Sequence, residues 1–104
     1  MFILQNFNLM ECGKTDFQFK VIEKIKNLRL QNNVSQRQLA LLLELSPGEV
    51  GNIESLKYKN KYTLKHIDVI AKHFGVPIQQ IFFDDTEIYN GLEEFFERIT
   101  AYLY

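Results

Sequence analysis

Cysteine is nearly absent from this chain: Cys12 is the only one in 104 residues. A lone cysteine excludes an internal disulfide framework and a cysteine-rich zinc site, and it fits a reducing, cytoplasmic setting. Long apolar runs are absent too. None approaches the roughly 20 residues that a membrane span needs. The opening stretch, Met1-Phe2-Ile3-Leu4-Gln5-Asn6-Phe7, has no basic region and is broken by polar residues, so it does not read as a signal peptide. Catalytic signatures are also missing: there is no nucleophile elbow, Walker loop, dinucleotide-binding glycine motif or HExxH. Glu93-Glu94 and Asp84-Asp85 are adjacent acids on solvated ground, not an opposed acid/base pair. His66 and His73 stand on one predicted helix about 10 Å apart by helical rise, too far to share a metal. The sequence points away from an enzyme, a metal site and a cofactor.

Net charge is small, at −1, but it is unevenly spread. Residues 18–83 carry ten Lys and Arg against five acids, a net +5. Residues 84–104 carry six acids against Arg98, a net −5, and the first seventeen residues contribute −1. A basic unit with an acidic tail presents a different field from a uniformly neutral protein.

What is present is a helix-start signal that occurs twice, eleven residues apart. In the first copy Ser35 is placed to cap, Gln38 to close a capping box, and Val34 to staple onto Leu39. In the second, Leu45, Ser46, Glu49 and Val50 take the same four roles, with Pro47 at the first helical position. Two caps this close leave room for one short helix, a tight turn and a second short helix. Such a pair is a helix-turn-helix, whose second helix is often built to enter the DNA major groove.

Around this pair the apolar spacing predicts further helices. Val21, Ile22, Ile25 and Leu28 form a stripe over 18–32, ended by Asn32-Asn33. Helices follow at about 35–43 and about 46–55, then a basic loop, Lys57-Tyr58-Lys59-Asn60-Lys61-Tyr62. Thr63 caps a fourth helix, striped by Leu64, Ile67, Ile70, Ala71 and Phe74 and closed by Gly75. Pro77 opens a short fifth helix through Phe82. Ile88, Leu92, Phe95, Ile99 and Tyr102 then mark a one-sided sixth, which either folds back on its own domain or pairs with a second copy. The division is an extension over 1–17, a helical unit over 18–83 and an acidic amphipathic tail over 84–104. In the extension, Phe2, Leu4 and Phe7 either form a short strand or fray.

The stretch from Val21 to Phe82 resembles the Cro/C1-type helix-turn-helix domain of phage repressors, the xenobiotic-response-element family. The matching residues are Ile25-Lys26-Asn27-Leu28-Arg29, Ser35-Gln36, Leu39-Ala40, Val50, Ile53-Glu54, Ile70-Ala71, Phe74-Gly75-Val76 and Ile81-Phe82. The resemblance implies an all-α, five-helix phage-repressor-like bundle, here with an added C-terminal helix and the short N-terminal extension. It implies a homodimeric regulator of double-stranded DNA, of bacterial or phage type, with the helix at 46–55 in the major groove. Gln36 would contact a phosphate, and the base-reading positions fall on Ser46, Pro47, Gly48, Gly51 and Asn52.

Two departures from that pattern bear on function. Glu44 stands where the turn between the two helices usually has glycine; a left-handed Glu44 costs about 1 kcal/mol. Pro47, Gly48 and Gly51 have no hydrogen-bonding side chains, so Asn52, suited to adenine, is the main direct reader and Ser46 a helper. Lys57, Lys59 and Lys61 are expected at phosphates, with Arg37 joining Gln36. Glu54 is expected to cap or pair locally. Glu49 would repel phosphate unless its carboxylate is occupied. The alternative is a protein-interaction or antitoxin-like module on the same scaffold, with a protein partner and little specific DNA binding.

Overall fold

The computed structural model describes residues 12–84, 87 and 90–104. They form six helices: α1 (Asp16–Gln31), α2 (Gln36–Leu42), α3 (Glu49–Glu54), α4 (Leu64–Phe74), α5 (Gln79–Phe82) and α6 (Leu92–Leu103). The class is all-α, as the periodicity predicts. The strand considered at Phe2, Leu4 and Phe7 lies outside the described residues, as does Ile88 of the tail stripe.

Three helices share one local grammar. Each opens on a capping box and closes on a left-handed residue. Ser35 Oγ accepts from the Gln38 N–H at 3.0 Å, and Gln38 Oε1 accepts from the Ser35 N–H at 2.8 Å, which starts α2 as expected. Thr15 and Gln18 make the same pair at the head of α1, which therefore begins two residues earlier than its apolar stripe indicates. At α4 the cap is Thr63, and its reciprocal acceptor is His66 Nδ1 at 3.1 Å. His66 is thus a capping partner, and its pKa is lowered, first by burial and then by Lys65.

The closing residues are Asn33, Glu44 and Gly75, with φ of 56°, 58° and 69°. In each case the next residue's N–H reaches back to the helix: Val34 to Arg29 O, Leu45 to Ala40 O, and Val76 to Ala71 O, at 2.9–3.0 Å. These are Schellman closures, and they satisfy carbonyls that the helix end leaves open. Glu44 accepts the left-handed conformation because the α2–α3 turn demands it of whatever residue stands there.

The second cap signal does not form as expected. Helix α3 starts at Glu49, not Ser46, and has no side-chain cap. The Ser46 carbonyl, not its hydroxyl, takes the Glu49 N–H at 3.0 Å, so residues 46–48 make a tight turn before the helix. The Glu49 carboxylate is occupied instead by Asn60 Nδ2 at 2.8 Å.

The core gathers Val21, Ile22 and Ile25 of α1, Leu39 and Ala40 of α2, Val50 and Ile53 of α3, and Ile67, Ile70 and Ala71 of α4. Helix α6 closes it from outside. Phe95 and Tyr102 stack edge-to-face on Phe82, with ring centroids 5.9 and 6.0 Å apart. Tyr102 is fully buried; its hydroxyl donates to Tyr62 O at 2.7 Å, and its carbonyl accepts from Gln18 Nε2 at 2.7 Å. Arg98 adds a side anchor: it pairs with Glu87, donates to Phe82 O and lies over the Phe83 ring. That arginine, with the Asp84 N–H, holds the Glu87 carboxyl well below its ordinary range, at about 2.

Candidate nucleic-acid interface

Helix α3 has two unlike sides. Val50, Ile53 and Glu54 face inward and are buried. Gly48 is exposed, and Gly51 and Asn52 are half-buried on the other side. The turn residues Ser46 and Pro47 are exposed beside them. This outward strip has little side-chain relief, because three of its five residues are glycine or proline. Asn52 supplies its one amide side chain.

The inner side is fixed by a polar relay. Arg29 on α1 donates through Nε to Glu54 Oε2 and through Nη2 to Glu54 Oε1, both at 2.9 Å. Its third nitrogen, Nη1, donates to Val34 O at 2.9 Å. Gln36 Nε2 then donates to Glu54 Oε1, again at 2.9 Å. Glu54 does pair, but with distant residues on α1 and α2 rather than locally, and so ties α1, α2 and α3 together. Bidentate geometry is what makes such a buried pair tolerable.

Gln36 therefore stands at the first residue of α2 with its amide nitrogen turned to Glu54. Its amide oxygen faces α3: a Cβ added at Gly51 would lie 3.2 Å from Gln36 Oε1. A side chain at Gly51 would therefore require Gln36 to give by a few tenths of an ångström. Gly48 has no such neighbour within 4 Å. Arg37, next along α2, is exposed.

The lysines do not form one set. Lys57 and Lys59 are exposed on the loop after α3. The loop is shaped by the Lys57 N–H, which donates to Ser55 Oγ at 2.9 Å. Lys61 is spent elsewhere. Its ammonium donates to Tyr102 O and Leu103 O, both at 3.2 Å, and sits 5.3 Å from the Tyr102 ring centroid. A cation at the last carbonyls of a helix satisfies orphan acceptors and suits the dipole. Partial burial lowers its pKa. The sequence placed Lys61 with the phosphate-facing lysines; the structure uses it to hold α6. No local signal marks this, because its partners lie 41 residues away.

Two further residues escaped the sequence reading. Lys14 is fully buried and donates to Ile53 O and Ser55 O, the latter at 2.9 Å, at the C-terminal end of α3. Desolvation lowers its pKa, opposed by Cys12 nearby. Tyr62 is buried with a hydroxyl that has no hydrogen-bond partner among the described residues. Burial, then the neighbouring Glu54, pushes that phenol well above its usual range.

Among the described residues, no helix is long and apolar enough to cross a membrane, and no group of His, Cys, Asp or Glu is gathered to hold a metal. A family model described as helix-turn-helix matches residues 25–81, from the middle of α1 to α5. Comparisons with curated proteins and with solved structures returned no significant match.

Proposed function

Because the chain belongs to the Cro/C1-type helix-turn-helix family, whose members are DNA-binding regulators rather than enzymes, we propose how it engages DNA. Residues 18–83 form the DNA-binding unit of a regulator of bacterial or phage type that acts in the cytoplasm. Helix α3 enters the major groove of double-stranded DNA, preceded by the turn of Ser46, Pro47 and Gly48. Asn52 reads a base edge, adenine by preference, and Ser46 assists. Lys57 and Lys59 meet the phosphates after α3, and Gln36 and Arg37 meet them at the start of α2.

One observation carries this reading: the exposed cations Arg37, Lys57 and Lys59 flank the outward side of α3 that holds Asn52, while its inner side is locked by Val50, Ile53 and the Arg29–Glu54 pair. A bare strip lets backbone approach DNA closely, and the shape of the operator then supplies much of the discrimination. Lys61 is left out of the phosphate set because its ammonium is committed to α6.

Residues 84–104 serve as a homodimerisation element. The support is the exposed apolar surface of α6: Leu92 is 63% exposed and Phe96 59%, and Tyr104 just past the helix is 89% exposed, although the same helix buries Phe95 and Tyr102 in its own domain. Folding back and pairing use adjoining faces of one helix, Phe95 and Tyr102 turned inward and Leu92 and Phe96 left exposed beside them. Replacing Phe96 with Glu should then leave a monomer in sedimentation; an unchanged oligomeric state would put the interface elsewhere.

Selection from a random duplex pool, with retention compared at two salt concentrations, tests DNA engagement. Retention that falls steeply with salt is expected. No retention even at low salt would overturn the docking and favour the protein-interaction module, for which the bare strip and the exposed α6 face are the motive.

A further inference from the structure

Helix α3 is short, at six residues, and has no side-chain cap at its start. Its C-terminal end runs straight into the extended Ser55 and the lysine loop. A helix this short cannot hold its own ends, since its terminal carbonyls have no intrahelical donors. Something outside must fix where it stops.

Lys14 does this. It lies 39 and 41 residues from the carbonyls it serves, Ile53 O and Ser55 O. Its side chain is 0% exposed, so a full ammonium has been taken out of water for these acceptors. Such burial is costly unless the charge is well coordinated. The preceding residue, Gly13, has φ of 91°, and a Cβ added there would be 3.6 Å from Lys59 Cβ. The Gly13-Lys14 segment therefore lies directly against both the end of α3 and the side chain of the exposed Lys59.

We propose that Lys14 is a positioning residue for DNA binding: it seats the C-terminal end of α3 and the Lys57–Lys59 loop without touching DNA itself. The ammonium neutralises the negative end of α3's dipole and pins its last turn. The lysine loop starts from that fixed point, so the loop's offset from the groove is set by Lys14. This rests on the docking proposed above for α3 and the loop.

The test uses the full chain and two variants, Lys14→Met, which keeps the stem and removes the charge, and Gly13→Ala, which strains the approach and leaves the ammonium. Amide hydrogen exchange without DNA reads the seat directly. Both variants should expose the amides of residues 53–59 faster while those of α4 stay protected. Unchanged exchange at 53–59, or loss of protection across all helices in both variants, overturns the proposal. With a selected duplex, Lys14→Met should bind about tenfold more weakly, the scale of a lost charged hydrogen bond, at an unchanged salt slope. A slope shallower by about 0.9 would mean that Lys14 meets a phosphate itself, which also overturns the proposal. If the native chain retains no DNA, the docking fails, and the exchange result still decides whether Lys14 seats the helix.

Discussion

Arg29 and Glu54, twenty-five residues apart in the chain, face each other with two 2.9 Å hydrogen bonds, and both side chains are buried. Through Val34 O and Gln36 the same pair reaches the start of α2. With the core contacts of Leu39, Ala40, Val50 and Ile53, this pair fixes the relative placement of α2 and α3, which defines the proposed docking surface.

Removing one partner leaves a buried charge without its mate. Arg29→Met and Glu54→Leu should each destabilise the fold by about 3–5 kcal/mol in urea titration. The double variant should cost clearly less than the sum. Additive losses would mean that the pair contributes through packing alone.

Tyr62 and Tyr102 make a matched contrast. Both phenols are buried, yet only Tyr102 donates, to Tyr62 O at 2.7 Å. Tyr62→Phe removes an unsatisfied group and should leave the melting temperature unchanged or raised. Tyr102→Phe strands a buried carbonyl and should lose about 1–3 kcal/mol. Equal losses would show that the Tyr62 hydroxyl has a partner in solution.

Much of this architecture is legible in the residues. Ser35 with Gln38, and Thr63 with Gly75, announce the helix ends because capping is local chemistry. Even the left-handed Glu44 follows from the turn it must make, whatever its identity. The Thr15–Gln18 box was readable on the same grounds and marks the true start of α1. His66 was harder, since an imidazole is an unusual acceptor for the third helical position. Ser46 misled because the same letters also fit a tight turn closed by its carbonyl. Lys14 and Lys61 were beyond reach: a lysine's default is solvent, and both are claimed by carbonyls about forty residues away. The surface expected around α3 is legible as a run of residues, but only the fold separates the exposed Lys57 and Lys59 from the engaged Lys61.

The exposed Lys57 and Lys59, set against the engaged Lys61, are the most direct test of the proposed docking. Lys57→Glu/Lys59→Glu should abolish retention of the selected duplex while circular dichroism and thermal unfolding stay native, because neither side chain is buried. The milder Lys57→Gln/Lys59→Gln should reduce the salt slope by about 0.9 per lost phosphate contact. Lys61→Gln should behave differently, loosening α6 and lowering stability while its salt slope stays native. DNA retention and slope unchanged in the Lys57/Lys59 variants would contradict the docking proposed for α3 and its loop.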